Sequence, residues 1–237
     1  MMRTSLLILI IITSKVSYTQ FKLKDTLFFL RDSNQFYYHR IFVDTNKKSE
    51  FYSYVSDFSF KKFDASTYKN SLDYLYAKKL YPEKQSYFDF PDEWTKLEIY
   101  KGILYVYSPA DYYSHYKIKL TDSVFINWNG EGPEAAFIKK FQQLDSITYK
   151  FILTSQTFKH REITIKFINK RKGIAIFHDK RYDPNSNKIS NYYFMMVTVK
   201  EMRKIPLLIN TCDNQKQEEL EFDKVDYRTM FKKNATH

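Results

Sequence analysis

Histidines are the side chains of this sequence best suited to acid–base catalysis or metal binding near neutral pH. The chain has five: His39, His115, His160, His178 and His237. A carboxylate lies close in sequence to two of them, since Glu162 follows His160 and Asp179 follows His178. In a strand, His160 and Glu162 would share a face and offer two metal ligands, but the sequence identifies no third. We therefore predict no metal site and no catalytic histidine.

Sequence motifs for a nucleophile or a cofactor are also lacking. There is no Gly-x-Ser-x-Gly elbow. The single cysteine, Cys212, follows an apolar run and is interpreted as a small packed residue rather than a nucleophile. Gly130 and Gly132 lack the further glycine and the strand-to-helix context of a dinucleotide site. We predict no catalytic residue and no cofactor.

Aromatic side chains supply the first candidate binding site. The chain has 21 Tyr, 21 Phe and 2 Trp, against only 4 Gly. Tyr105, Tyr107 and Trp128 alternate along predicted strands and form one aromatic face, which we extend to Trp94. Inside a barrel, this face would line a cavity for an apolar ligand. Packed against a helix, it would simply be core, and the sequence leaves both interpretations open.

A basic stretch supplies the second candidate site, with Glu162 as the only acid in it. Its basic residues are Lys159, Arg161, Lys166, Lys170, Arg171 and Lys172. A hairpin that displays them together would bind an anionic partner such as a glycan or a lipid surface. A hairpin of solvated lysines, with no partner, is the alternative.

Strands are the elements that must position these residues. From about residue 93 to 212 the chain alternates apolar and polar residues with a period of two. The clearest case is Tyr116, Ile118 and Leu120, which alternate with lysines. We predict a mainly β fold, an antiparallel sandwich or closed barrel of about 8–9 strands linked by short turns, with one or two short helices.

Two helices are predicted among the strands. The first lies near 66–80, with Ser66 as its cap and Pro82 beyond its end. The second spans 133–144, because Pro133 suits a first helical position and the following apolar residues recur at three- and four-residue spacing. Residues 36–43 and 51–60 are predicted as strands.

Domain organisation follows from the absence of any Gly-, Ser- or Pro-rich linker. We predict a single β-rich domain over residues 20–212. Within it, residues 20–92 form an N-terminal elaboration and residues 93–212 an antiparallel β core. Residues 213–237 are predicted as a charged tail.

The N-terminus has the pattern of a secretory signal peptide. Arg3 precedes an unbroken apolar run over 6–12, and small residues follow, so cleavage is predicted between Thr19 and Gln20. A membrane anchor is the alternative, but spanning the bilayer takes roughly 20 apolar residues, and Lys15 interrupts this run. We expect a cleaved signal over residues 1–19, a secreted or periplasmic location, and no transmembrane segment in the mature chain.

The formal net charge of +11 is that of a basic protein. An exported protein seldom meets nucleic acid, so we expect no nucleic-acid partner, and an apolar small molecule or an anionic glycan or lipid surface instead. The leading hypothesis is an exported, non-catalytic binding or interaction protein with an apolar or anionic ligand. One alternative is a hydrolase of cell-surface polymers whose site is assembled from distant carboxylates or histidines. The other is a structural envelope component.

Overall fold

The computed structural model describes residues 26–33, 38–49, 51–86, 89–110, 116–183, 188–213 and 220–233. The predicted signal peptide, residues 1–19, and its cleavage site at Thr19 and Gln20 lie outside these ranges. No helix within the described ranges combines the length and the apolar character needed to cross a membrane.

The described residues form twelve strands and four helices. The strands are β1 Thr26–Ser33, β2 Tyr38–Asp44, β3 Glu93–Tyr100, β4 Ile103–Ser108, β5 Lys117–Leu120, β6 Val124–Asn129, β7 Gly132–Gln143, β8 Thr148–Ser155, β9 His160–Asn169, β10 Ile174–Asp183, β11 Lys188–Thr198 and β12 Leu207–Asp213. The helices are α1 Phe51–Ser56, α2 Lys62–Ala77, α3 Val199–Met202 and α4 Tyr227–Lys233, and a 3₁₀ turn covers Lys170–Lys172.

Eight of the strands close into an antiparallel barrel. Strands β5 to β11 pair with one another in chain order, and β3 pairs with both β11 and β5. This confirms the prediction of a mainly β fold and identifies a closed barrel. Closure leaves no free edge in this part of the sheet.

Strand β3 also connects the barrel to a four-stranded extension. The first half of β3 pairs with β5 and its second half pairs with β4. Strand β4 runs parallel to β12, and β2 and then β1 follow in antiparallel order. The extension therefore brings strands from both ends of the described chain side by side.

The barrel interior is filled by large side chains. Alternation along the strands directs one face of each strand inward, as the period-two pattern requires. Fully buried inward-facing residues include Trp94, Phe125, Phe151, Phe177 and Ile163. The ring centroid of Trp94 lies 5.1 Å from that of Phe177 and 5.8 Å from that of Phe90. The described side chains form a packed core where a ligand-carrying barrel would have a cavity.

The helix predicted at 133–144 was wrong, because this segment is strand β7. One face of β7 points into the barrel, and the other packs against α2 through Ala135 and Phe137. Because both faces of β7 carry apolar residues, the sequence of this strand does not alternate between apolar and polar residues. A register shift between Ile138 and Lys140 further disturbs the alternation and imitates helical spacing. Pro133 is accommodated because it occupies the second residue of the strand.

The N-terminal region also departs from the prediction. The strand expected over 51–60 was wrong, since Phe51–Ser56 is helix α1, which buries Tyr52 and Val55 against the sheet. The helix predicted near 66–80 is α2, which begins at Lys62. The Ser66 hydroxyl donates to the Phe63 carbonyl inside the helix instead of capping its first turn.

Gly173 follows the 3₁₀ turn between β9 and β10 with φ of 62°. An added Cβ there would collide with the Thr198 hydroxyl oxygen and approach the Glu201 side chain to 3.0 Å. Gly173→Ala is therefore expected to lower the free energy of unfolding by about 2–4 kcal/mol, from backbone strain plus the collision. Gly102→Ala is the control, because Gly102 has φ of 74° but open space around it. It should lose only about 1–2 kcal/mol in denaturant titrations. Equal losses would contradict the packing argument.

Candidate functional site

The four predicted aromatic ligand-binding residues do not line one cavity. Trp94 lies in the barrel core. Tyr105 and Tyr107 lie on the extension, where the ring of Phe222 from the predicted charged tail packs 4.6 Å from that of Tyr107. Trp128 lies on the outer face of the barrel, in the cluster that packs against α2.

The predicted basic patch is likewise spread over different surfaces. Arg161 points into the barrel, whereas Lys166 points outward and donates to the Phe231 carbonyl of α4 at 2.9 Å. Strand β9 is 10 residues long, so Lys159 at its start and the turn Lys170–Lys172 at its end are about 30 Å apart. The structure does not bring these cations together on one face.

The polar end of the barrel interior is built on β9 and β10. Arg161 is 2 % exposed and Asp179 is 0 % exposed. Arg161 donates to both carboxylate oxygens of Asp179 at 2.8 Å, and Arg181 donates to Oδ2 of the same residue at 2.8 Å. The Arg181 guanidinium also lies 4.6 Å from the ring centroid of Tyr192. This role of Arg161 is not evident from the sequence, although Arg161 alternates in register with Ile163 and the following inward residues.

A groove of about 750 Å³ lies outside the barrel, and we call it the lateral groove. Its walls are helix α1, the start of α2, and the ends of β4, β6 and β12. Its lining includes Tyr54, Asp57, Phe63, Lys117 and Trp128. Trp128 is the one predicted binding residue in this lining.

Lys117 and Trp128 reach the lateral groove because they are directly opposite each other on β5 and β6. Directly opposed side chains share a face, which here points outward, toward α1 and α2. Phe58, on the loop after α1, packs edge-on against Trp128 with ring centroids 5.3 Å apart. The Lys117 Nζ atom lies 5.1 Å from the Phe58 centroid and 5.7 Å from the Trp128 centroid, so the ammonium is within cation–π distance of two adjacent aromatic rings.

The Lys117 ammonium is partly buried, and three carboxylates act on it from beyond ion-pair distance. Burial lowers its pKa, although the charges of Asp57 and Asp64 act in the opposite direction. Its Nζ donates to the Asp57 backbone carbonyl, and it forms no ion pair with any residue that the structure describes. Its neighbour Lys119, in contrast, pairs with Glu93 at 2.7 Å. Lys117 is thus a partly desolvated cation with hydrogen-bonding capacity to spare.

Asp64 and Asp57 are the acidic side chains in the lining of the lateral groove, and Asp57 is held by Ser59. The Ser59 hydroxyl and backbone N–H donate to the Asp57 carboxylate, the latter at 2.8 Å, and these bonds lower its pKa. The nearby Lys117 and Lys61 act in the same direction. Asp57 is therefore an ionised acceptor at neutral pH, which is unsuited to donate a proton as a general acid.

In the described part of the chain, no group of three His, Cys, Asp or Glu side chains could hold a metal ion. Comparison with known proteins gives no further guide to the lateral groove: no family model matches the chain, and neither a curated protein nor a solved structure resembles it detectably.

Proposed function

We propose that this is a non-catalytic binding protein and that the lateral groove binds an acidic glycan. The observation that carries the proposal is Lys117, a partly buried ammonium with no ion-pair partner among the described residues, within cation–π distance of Phe58 and Trp128. A ligand carboxylate or sulfate would accept charge-assisted hydrogen bonds from this ammonium. Its charge would also offset the desolvation of the cation.

The rim of the lateral groove supports a saccharide as the carrier of that anionic group. Tyr54 and Phe63 are 52 % and 60 % exposed, so the groove is flanked by flat apolar surfaces that water does not favour. A sugar ring offers apolar C–H faces to such rings and hydroxyl groups at its edges. The side-chain amide of Asn129 in the lining matches those hydroxyls.

The alternatives have weaker support. Glycoside hydrolysis requires a carboxyl group that stays protonated as general acid, usually through a raised pKa. The pKa of Asp57 is lowered instead. An apolar ligand enclosed in the barrel would compete for space with Trp94, Phe177 and the other core side chains. Export of the protein, predicted from residues 1–19, remains part of the proposal and is checked by sequencing the N-terminus of the secreted protein.

The test is calorimetric titration with uronic-acid oligosaccharides and with neutral oligosaccharides of the same ring type. The acidic series should bind, and Lys117→Met should weaken it by about 10- to 100-fold, the value of a charge-assisted hydrogen bond. Lys119→Met is the matched control, since Lys119 is on the same strand but already paired with Glu93. Equal affinities of the two variants, or equal binding of neutral sugars, would refute the proposal.

Tryptophan fluorescence offers a second readout of the same experiment, because the chain has only two tryptophans. Trp128 lines the lateral groove, whereas Trp94 is enclosed in the barrel. Ligand-induced fluorescence change should disappear in Trp128→Phe and persist in Trp94→Phe. A change that depends on Trp94 would place the ligand inside the barrel instead.

A further inference from the structure

Two basic turns meet at one end of the barrel. The 3₁₀ turn between β9 and β10 and the segment that begins with α3 between β11 and β12 carry these exposed cations: Lys170, Arg171, Lys172, Lys200, Arg203 and Lys204. The carbonyl of Gly173, directly after the 3₁₀ turn, accepts a hydrogen bond from the Thr198 backbone N–H at 3.0 Å. A Cβ added to Gly173 would lie 3.2 Å from the Cβ of Glu201 on α3, so the two turns are packed side by side.

Lys47, on the turn after β2, extends the same surface. Its Nζ donates to the Ile205 carbonyl at 3.3 Å, directly after the basic segment that begins with α3. The Lys47 ammonium and the Arg203 guanidinium lie 5.7 Å and 5.9 Å from the ring centroid of Tyr52. We call Lys47 and the cations of the two turns the cationic end.

Few acids offset the charge of the cationic end. Glu201 forms an ion pair with Lys204. Asp44 is buried, and Asp145 lies on the neighbouring turn between β7 and β8. Apart from Lys204, the cations of this end form no ion pair with any residue that the structure describes. Their charge is therefore available to an anionic partner.

An exposed aliphatic side chain adjoins the cationic end. Leu144 is 54 % exposed on the turn between β7 and β8. Lys170 reaches this turn, because its Nζ donates to the Ser146 carbonyl at 3.2 Å. Cations beside an exposed leucine suit the boundary of a bilayer, where the headgroups are charged and the acyl chains are apolar. A soluble polyanion offers the charges without the apolar layer.

From this arrangement we propose that the cationic end docks the protein on a membrane surface of anionic lipids. The turns that carry it lie at the same end of the sheet, so a flat surface contacts them together. Lipid phosphates accept hydrogen bonds from the Lys and Arg side chains, and Leu144 enters the headgroup layer. The cationic end shares no residue with the lining of the lateral groove, so this inference does not rest on glycan binding.

The test is sedimentation of the full-length protein with vesicles of phosphatidylglycerol and phosphatidylcholine, at low and at high salt. Vesicles of phosphatidylcholine alone measure any uptake by the apolar run over 6–12. Binding should require phosphatidylglycerol and fall at high salt, because exposed charges are screened. Lys170→Gln/Lys172→Gln should bind about 20- to 30-fold more weakly, since each basic residue near an anionic surface contributes about fivefold.

Lys159→Gln/Lys188→Gln is the matched control. It removes the same charge, but its two exposed lysines lie at the opposite end of the barrel, just before β9 and at the start of β11. This variant should bind like the original protein. Equal losses in the two double variants, or binding that does not depend on phosphatidylglycerol, would overturn the inference. All four lysines are exposed, so both variants should fold.

Leu144→Ser distinguishes a bilayer from a soluble polyanion, because it leaves the net charge unchanged. It should weaken vesicle binding by about fivefold, since an apolar side chain no longer enters the headgroup layer. Vesicle binding that is unchanged in Leu144→Ser would contradict docking on a bilayer. Heparin fragments that bind more tightly than the vesicles would contradict it as well, and would identify a soluble polyanion as the partner.

Discussion

The variant Asp179→Asn is expected to lose about 3–5 kcal/mol of unfolding free energy, which is the usual cost of removing one partner of a buried ion pair. Asp179 is fully buried and accepts hydrogen bonds from Arg161 and Arg181. An amide of the same shape removes the negative charge and leaves two guanidinium groups facing each other at the barrel end. Urea unfolding followed by circular dichroism measures the loss.

The same substitution should alter the acid stability of the protein. Burial by itself would raise the pKa of Asp179, but the charges and hydrogen bonds of Arg161 and Arg181 outweigh burial and lower it below its ordinary value of 3.8. A lowered folded-state pKa means that the pair stabilises the protein fully above the unfolded-state pKa. The stabilisation then disappears as the pH falls through the folded-state value. Asp179→Asn should lack this part of the pH dependence below about pH 4.

An exposed ion pair provides the control for Asp179→Asn. Asp73→Asn removes the partner of Lys69 on the surface of α2 and should cost no more than about 0.5 kcal/mol. Replacement of both Arg161 and Asp179 by apolar residues of similar volume should recover much of the lost stability, because the remaining charge, Arg181, has a partly exposed side chain that also stacks on Tyr192. A small loss in Asp179→Asn would show that water reaches the barrel end.

Trp94→Ala is expected to cost about 3–5 kcal/mol and to create an empty space in the barrel. Trp94 is fully buried between Phe90, Phe167 and Phe177, and its Nε1 donates to the Pro91 carbonyl at 2.9 Å. Thermal unfolding measures the stability, and the space should bind benzene or xenon as engineered apolar cavities do. The unsubstituted protein should bind neither in its barrel.

Tyr81→Ala is the control for this substitution, because Tyr81 is 62 % exposed and should lose little stability. Benzene binding by the unsubstituted protein, lost in Trp94→Ala, would mean that the barrel interior is a ligand cavity. That result would favour the enclosed apolar ligand over the lateral groove. Both outcomes therefore bear on the proposed function as well as on packing.

Several elements could be predicted from the sequence because their signals are local. Ile118 and Leu120 point into the barrel while Lys117 and Lys119 point outward, as their alternation predicts. The hairpin turn at Lys101-Gly102 is confirmed as well, with φ of 50° and 74° at the two residues. Side-chain alternation and turn chemistry depend on neighbouring residues alone.

Strand β7 could not be predicted from its own residues. Its outward face is apolar only because α2 covers it, and that contact joins residues far apart in the chain. Without knowledge of the cover, the apolar residues of 133–144 resemble a helix. The same limitation applies to the aromatic residues, since closure at β3 puts Trp94 inside and Trp128 outside the barrel.

The sequence by itself determined that this protein is mainly β, with antiparallel strands and short turns, because a period of two is set by backbone geometry. Only the tertiary structure decided that the barrel closes and fills, that Lys117 lies against Phe58 and Trp128, and that His39 contacts Asn210. The physical reason is distance along the chain: His39 and Asn210 are 171 positions apart, and only sheet pairing brings them to 2.7 Å.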